Sequence, residues 1–147
     1  PEPQEPTLEE LKEMKISEMN SEQQKVIRDG IDVKLSSGLM EHFTLTEHDQ
    51  TSLMGLQTKV LAGEENIPWH TSDETEHCKF YSNADMALIT ESALAHVAYH
   101  VTLFRDLRIY IRSMKTKEEV KAVTYNTVIP EEYRSEPLKA MVSALKV

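Results

Sequence analysis

Two histidines, His96 and His100, are the residues whose spacing most directly suggests chemistry. They lie four residues apart in a segment with helical periodicity, so their side chains share one helix face. With His70, His77 or Cys78 brought beside them, the group would have the ligand types of a zinc site. The spacing reads HVAYH, however, and lacks the glutamate that follows the first histidine in the metalloprotease motif. Paired histidines also serve as core residues bonded to the backbone, so we predict no bound metal and keep the four histidines as candidate ligands.

Cys78 is the only cysteine, and with a histidine it could form a nucleophile and base pair. No glycine-rich nucleophile elbow surrounds it and no helix begins directly after it, so we predict a half-buried strand cysteine instead. The paired carboxylates occur in turns or first helical turns, where they favour solubility and complement the helix dipole: Asp73/Glu74, Glu131/Glu132 and Glu9/Glu10. Four glycines provide no phosphate-cradling loop. We predict no catalytic residue, no cofactor and no enzyme activity.

Composition excludes several classes of partner. The 147 residues carry a formal net charge of −9, with 39% hydrophobic and 28% charged residues, which is typical of a globular protein. Such a charge argues against nucleic acid and against an anionic membrane surface as partners. One cysteine permits no intramolecular disulfide. The most apolar run, residues 86–104, is interrupted by Glu91 and two histidines, which argues against a membrane span.

The stretch from Gly30 to Leu56 predicts a hairpin followed by a capped helix. Alternating apolar and polar residues over 31–35 indicate a first strand, and Ser-Ser-Gly indicates a turn. A second strand follows, in which Phe43 faces one way and His42 the other. Thr46 with Asp49 three residues later has the form of a capping box. The helix that follows is expected to place four apolar residues on the core and to end at Gly63: Leu53, Leu56, Val60 and Leu61.

The remaining pattern is mainly helical. Thr7 caps a first helix that Asn20-Ser21 would break or re-cap and that Gly30 ends. Residues 66–81 predict a second hairpin with Pro68 at an edge. Ser82 or Asn83 then caps the longest helix, reaching to about residue 114, and its repeat every seven residues indicates a central, largely buried element. Thr116 opens a short helix, and Pro130 is expected at the first position of the last one.

These elements predict an α+β fold with small β-hairpins packed on a long central helix and shorter helices around it. Residues that need a shared apolar face against that helix are Phe43, Leu45, Leu53, Trp69 and Phe80. Residues 1–7, PEPQEPT, read as a stiff linker, and residues 8–147 as a single domain. Terminal vector or native residues would explain the first seven equally well.

The order of these residues resembles a known family. Gly30-x-Asp-Val precedes a strand ending in Phe43-x-Leu, and Asp49-Gln opens the next helix. A Trp-containing polar hairpin follows, then an Asp85-led helix with A-x-x-H at His96 and, further on, R-x-L. This pattern resembles a small domain of unassigned function in tail-associated and tail-fibre-region proteins of tailed bacteriophages and prophages, of the kind found in Gram-positive hosts. The likeness spans residues 8–129 and includes no catalytic motif.

The resemblance implies a non-enzymatic structural or interaction module of a phage tail or phage-tail-like particle, made in the bacterial host cytoplasm and located in the virion. Its partners would be other phage tail or fibre proteins. An alternative is a tail-fibre assembly chaperone that does not stay in the virion, and the histidines keep a zinc-dependent enzyme as a third hypothesis. The apolar stripe between Leu8 and Met19 must dock on something. We expect its own domain, with a neighbouring tail protein or a homo-oligomer as the alternatives.

Overall fold

A computed structural model describes residues 4–145, so the first three residues of the expected linker lie outside the described part of the chain. Within residues 4–145 the chain forms five α-helices, four short strands and one 3-10 turn. They are α1 (Leu8–Asp29), β1 (Ile31–Lys34), β2 (Met40–Phe43), α2 (Glu47–Leu61), β3 (Ile67–Trp69), β4 (Lys79–Tyr81), α3 (Asn83–Ser113), α4 (Lys117–Lys121), the 3-10 turn Glu131–Tyr133 and α5 (Glu136–Leu145). The strands form two antiparallel hairpins, β1–β2 and β3–β4. The predicted α+β class and long helix are confirmed.

The chain divides into two compact units. Unit 1 combines the residues up to Lys25 with those from Tyr99 onward, and unit 2 runs from Val26 to Ala98. Helices α1 and α3 each contribute to both units. The prediction of a single domain over residues 8–147 stays a prediction.

The first hairpin of unit 2 forms where the sequence predicts it. Ile31 pairs with Phe43 and Lys34 with Met40. Phe43 is fully buried in a core that includes Leu53 of α2 and Met86 of α3. The hairpin therefore packs on the long helix, as the shared apolar face required.

Helix α2 begins at the predicted capping box. The Thr46 hydroxyl accepts from the Asp49 amide at 3.1 Å, and the Asp49 carboxylate accepts from the Thr46 amide at 3.1 Å. Its end differs from expectation, because Leu61 is 80% exposed instead of facing the core. Leu61 directly follows Val60, which packs on the core, so its side chain lies about 100° further around the helix.

The second hairpin also forms, but β4 presents its other face to the core. Ile67 pairs with Tyr81 and Pro68 with Phe80. Tyr81 is buried and Phe80 is 72% exposed, so the expectation that Phe80 faces the core is wrong. Tyr81 takes the inner face because its hydroxyl donates to Glu41 Oε1 at 2.8 Å, which gives the buried phenol a hydrogen-bond partner on the first hairpin. Cys78 precedes β4 and is exposed, which corrects the prediction of a half-buried strand cysteine.

Unit 1 has its own core. Ile16 and Met19 of α1 are buried with Leu107 and Ile111 of α3, so the amphipathic stripe of α1 docks within its own chain, as expected. The expected break at Asn20-Ser21 is absent in the described chain, since α1 is continuous to Asp29.

Two lysines of α1 satisfy the ends of other helices in unit 1. The buried Lys12 donates to the Arg112 carbonyl at 2.9 Å, in the last turn of α3, and Lys15 donates to the Val123 carbonyl at 3.0 Å, just after α4. A cation at a helix C-terminus satisfies orphan carbonyls and complements the helix dipole.

The C-terminal helices start at hydroxyl caps. Thr116 accepts from the Glu119 amide at 3.2 Å and begins α4, as predicted. Pro130 does not begin the last helix; it precedes the 3-10 turn, and α5 starts after Ser135. Ser135 is held there because its amide and its hydroxyl both donate to the buried Asp106 carboxylate at 2.8 Å.

Helix α3 is less covered than its composition suggested. Met86, Ile89 and Ala93 are buried in the core of unit 2, whereas Leu88 and Leu94 stay partly exposed. Among residues 4–145, we find no helix that combines the length and apolar character required to cross a bilayer.

Candidate functional site

Unit 2 contains an open cleft of about 920 Å³. It lies between the end of α1, strand β2, the start of α2 and the loop that connects β3 to β4. The lining side chains are mainly polar: Arg28, Asp29, His42, Thr44, Thr46, Asp49, His70, Thr71, Ser72, Asp73, Glu74, Glu76 and Cys78. Carboxylates outnumber cations in this set, so the cleft is acidic.

His42 is the best-placed titratable group of the cleft. Its Nδ1 lies 2.8 Å from Asp32 Oδ1 on β1, and its Nε2 lies 2.6 Å from the Asp29 carbonyl oxygen at the end of α1. A carbonyl only accepts, so Nε2 must donate. A neutral ring would then turn an unprotonated Nδ1 toward a carboxylate. Both bonds are satisfied together only when the ring is an imidazolium.

This geometry favours the charged form of His42. The hydrogen bond to Asp32 raises the pKa of His42 above its ordinary value of 6.5, and the bond to the Asp29 carbonyl adds to it, while partial burial opposes both. The imidazolium also lies at the C-terminal end of α1, where the helix dipole favours a cation. His42 therefore links α1, β1 and β2, and the β3–β4 loop joins them because the Ser72 amide donates to the His42 carbonyl at 2.9 Å.

The acidic residues of the cleft are also used by the fold. Asp49 belongs to the capping box of α2 and accepts from the Thr44 hydroxyl at 3.3 Å. In the β3–β4 loop, Asp73 accepts from the hydroxyl and the amide of Thr75, which lowers the pKa of Asp73. Such bonds are typical of helix caps and Asx turns, and at Asp73 they favour the ionised carboxylate.

His70 and Cys78 line the same cleft, whereas the exposed His77 does not. The His70 ring stacks on Trp69 with 4.3 Å between centroids, and its Nδ1 donates to the Thr71 carbonyl at 3.1 Å. Cys78 has no resolved hydrogen bond to a base among residues 4–145. The cleft therefore lacks an assembled nucleophile and base pair in its described residues.

The two histidines of the HVAYH segment have separate local roles. His96 Nε2 donates to the Val26 carbonyl at 3.1 Å in unit 2, which is the backbone bonding considered for a core histidine. In unit 1, His100 Nδ1 lies 2.9 Å from the Tyr125 hydroxyl, and the two rings stack. Burial raises the pKa of Tyr125 to about 12, so the phenol keeps its proton beside the His100 ring.

Within residues 4–145, no group of three or more histidine, cysteine, aspartate or glutamate side chains is arranged to hold a metal ion. The candidates His70, His77, His96 and His100 thus do not converge in the described chain. Whether the protein binds zinc stays a prediction.

A family model described as a domain of unknown function, DUF4376, matches residues 10–126. The chain belongs to this family. No curated protein and no solved structure matches the chain. The matched range of the DUF4376 domain includes both hairpins, the cleft and all of α2 and α3, and it ends before α5.

Sequence reasoning missed several residues that organise the DUF4376 fold. The His42–Asp32 pair could have been found, because both residues face outward in the predicted hairpin and are directly opposite in its register. Glu41 was missed because its partners, Tyr81 and Lys79, lie about 40 residues away in the chain. Asp106 was also missed, since nothing local indicates that a carboxylate inside α3 binds Ser135, the cap of α5.

Proposed function

We propose that this DUF4376 chain is a non-enzymatic structural or interaction module of a phage tail or phage-tail-like particle, associated with the tail fibre or the baseplate. It is made in the cytoplasm of the bacterial host and takes its place in the particle. Its partners are other tail or fibre proteins, and neither nucleic acid nor a membrane is among them.

One contrast carries the proposal. The groups that could do chemistry in unit 2, namely His42, Asp49 and Asp73, are engaged in bonds that hold helix ends, strands and turns. Large apolar side chains of the same unit are left outside. Leu39 and Met40, at the tip of the first hairpin, are 65% and 60% exposed. We call these two residues the apolar tip.

The apolar tip supports a contact with another protein, because a partner can bury apolar side chains that the domain core leaves exposed. The net charge of −9 restricts that partner further, because it disfavours binding to polyanions. The resemblance to tail-associated proteins supplies the context of the particle. The chaperone alternative shares the contact surface and differs only in whether the chain stays in the mature particle.

The experiment is deletion of the gene from the phage or prophage that encodes it, followed by complementation. Three forms are compared: wild type, the double variant Leu39→Ser with Met40→Ser, and His42→Gln. The readouts are infective titre and the fraction of particles with complete fibres by electron microscopy. We expect the apolar-tip variant to fail and His42→Gln to complement, because the first removes exposed contact area while the second weakens one partly exposed ion pair.

A folded apolar-tip variant, checked by circular dichroism, that restores titre fully would contradict a contact role for the tip. A His42→Gln chain that is stable but unable to complement would instead favour chemistry at the cleft. The two variants therefore separate an interaction module from an enzyme.

A further inference from the structure

Unit 1 contains a small pocket of about 160 Å³ between α3, the segment before the 3-10 turn and α5. Its walls are mainly apolar side chains: Tyr99, Leu103, Val128, Ile129, Leu138 and Val142. Ile129 and Leu138 are buried in the core of unit 1, whereas Val128 at the rim is 76% exposed. Pockets for small molecules and cofactors usually hold about 300–1,000 Å³, so this one suits a single apolar side chain.

Arg134 is the only charged residue that lines this pocket in the described chain. It is partly buried, and its Nε donates to the Ile129 carbonyl at 2.6 Å. The next residue, Ser135, is held by its two bonds to the Asp106 carboxylate. The guanidinium is therefore anchored at the pocket by the bond from Nε and by the fixed backbone that follows it, which lowers the entropy cost of binding there.

The terminal nitrogens of Arg134 have no hydrogen bond and no ion pair within residues 4–145, because its single resolved bond comes from Nε. Three carboxylates lie within three residues along the chain, yet none of them forms an ion pair with Arg134 in the part that the structure describes: Glu131, Glu132 and Glu136. Glu136 lies 3.4 Å from Lys139 instead. A guanidinium with free terminal N–H groups is suited to bind a carboxylate through two parallel hydrogen bonds.

We propose that this pocket binds the C-terminal residue of a partner polypeptide, with an aliphatic side chain in the pocket and the terminal carboxylate on Arg134. The charge is complementary, since the pocket lining holds a cation and no carboxylate although the chain as a whole has a net charge of −9. This inference goes beyond the proposed function and does not depend on it.

A C-terminal residue is the favoured occupant because of where its two groups are attached. Its side chain and its carboxylate branch from the same Cα, so they can reach an apolar pocket and the guanidinium in its wall together. In an internal extended segment, an aliphatic side chain and a neighbouring acidic side chain come from different Cα atoms and point to opposite faces. Capture of a terminal carboxylate is also a known mode of peptide recognition.

The probe is the fluorescein-labelled peptide Gly-Ser-Gly-Ser-Leu with a free C-terminal carboxylate, titrated with the whole chain by fluorescence anisotropy. Three control peptides are measured beside it: the same peptide as a C-terminal amide, the free acid that ends in alanine, and an amidated peptide with an internal Leu-Glu pair. We expect saturable binding of the leucine free acid. Each control should bind at least about tenfold more weakly, because it lacks the terminal carboxylate or the aliphatic side chain.

Variants of the protein test the same two contacts, with folding checked by circular dichroism. Arg134→Met should lose at least about tenfold in affinity, and Arg134→Lys should lose less because it keeps the charge but not the two parallel bonds. Val142→Trp should also weaken binding, since its larger side chain fills the pocket without a change in charge. The matched control is Arg105→Met, because Arg105 is exposed on α3 and is not among the residues that line the pocket; it should bind as wild type does.

The proposal is overturned if the leucine free acid shows no saturable binding up to about 1 mM, which corresponds to a very weak interaction. It is also overturned if wild type binds the acid and the amide equally, or if the internal Leu-Glu peptide binds as tightly as the free acid. Equal affinity of wild type and a folded Arg134→Met chain would contradict the role of the guanidinium.

Discussion

Gly30 joins α1 to β1, and its replacement by alanine gives the most exacting test of the fold. Its φ is +91°, in the region that side chains rarely adopt. A Cβ built there lies 1.9 Å from the Phe43 carbonyl oxygen and 2.8 Å from Thr44 Cα. Both contacts are with backbone, so no side-chain rotation relieves them. Gly30→Ala must therefore displace the end of α1 from β2, and with it the Asp29 carbonyl that His42 binds.

The expected cost follows from two separate effects. The left-handed conformation costs a residue with a Cβ about 1–2 kcal/mol. Overpacking of a closely packed site adds about 1–3 kcal/mol. Gly30→Ala should lower the free energy of unfolding by about 2–5 kcal/mol, a large share of the stability of a small domain.

Two other glycines separate these effects. Gly38, in the turn of the first hairpin, has a φ of +92° but open space around its Cβ, so Gly38→Ala should lose only about 1–2 kcal/mol for the conformation. Gly55 lies inside α2 with nothing within 4 Å, so Gly55→Ala should stabilise by about 0.5–1 kcal/mol.

The assay is urea denaturation followed by circular dichroism, with all three variants measured against wild type under one condition. The predicted order of stability is Gly55→Ala, wild type, Gly38→Ala, Gly30→Ala. Equal losses for Gly30→Ala and Gly38→Ala would refute the close approach of α1 and β2 at Gly30.

Four further predictions follow from single contacts. The pKa of His42 is raised on folding, so its contribution to stability is complete below about pH 6.5, the unfolded value, and is lost as pH rises through the folded pKa. Because the His42–Asp32 pair is partly exposed, the loss in the free energy of unfolding should not exceed about 1 kcal/mol. Urea titrations at different pH values should show this loss in wild type and in the exposed control His48→Gln, but not in His42→Gln. Lys12→Met should lower the free energy of unfolding by about 1.5–3 kcal/mol in the same assay, since it leaves the last turn of α3 without its charged donor; a change below 0.5 kcal/mol, the ordinary range for surface positions, would contradict this. Trp69→Phe should change stability by less than about 1.5 kcal/mol, because the buried Trp69 Nε1 has no partner in the described structure and its removal offsets the lost ring volume. Elemental analysis of protein purified without chelator should find no stoichiometric zinc; about one zinc per chain, lost in His96→Ala, would overturn that prediction.

Local signals predicted the first half of unit 2 well. The hairpin turn, the Thr46 cap and the glycine at the end of α1 are each specified within a few residues, and all three form as expected. The same holds for Thr116 at the start of α4.

The predictions are wrong where a residue distant in the sequence determines which side chain is buried or whether a helix continues. In β4, Phe80 and Tyr81 both suit a strand, and only the Glu41 carboxylate on the other hairpin selects Tyr81 for the inner face. At Asn20-Ser21, packing of Ile16 and Met19 in the core of unit 1 outweighs the local tendency to end the helix.

The candidate site was the part of the structure that the sequence predicted least well. Zinc-like spacing drew attention to His96 and His100, which have separate structural partners in the described chain. The sequence did not predict a role for His42, because its two partners are the Asp32 carboxylate on the neighbouring strand and the Asp29 carbonyl at the end of α1. A backbone carbonyl cannot be recognised as a partner from residue types. Residue types alone therefore do not show which of these side chains are already engaged by the fold.

We propose for this chain the role of a structural part of a tail particle. Its most direct test is quantitative mass spectrometry of purified particles from the phage or prophage that encodes it, with the chain compared against a major tail protein and against an abundant host cytoplasmic protein as a measure of carry-over. We expect the chain at a fixed ratio to the tail protein, unchanged by further gradient purification. A chain that is abundant in infected or induced cells but falls to the level of the carry-over control in purified particles would contradict the claim and favour the assembly chaperone.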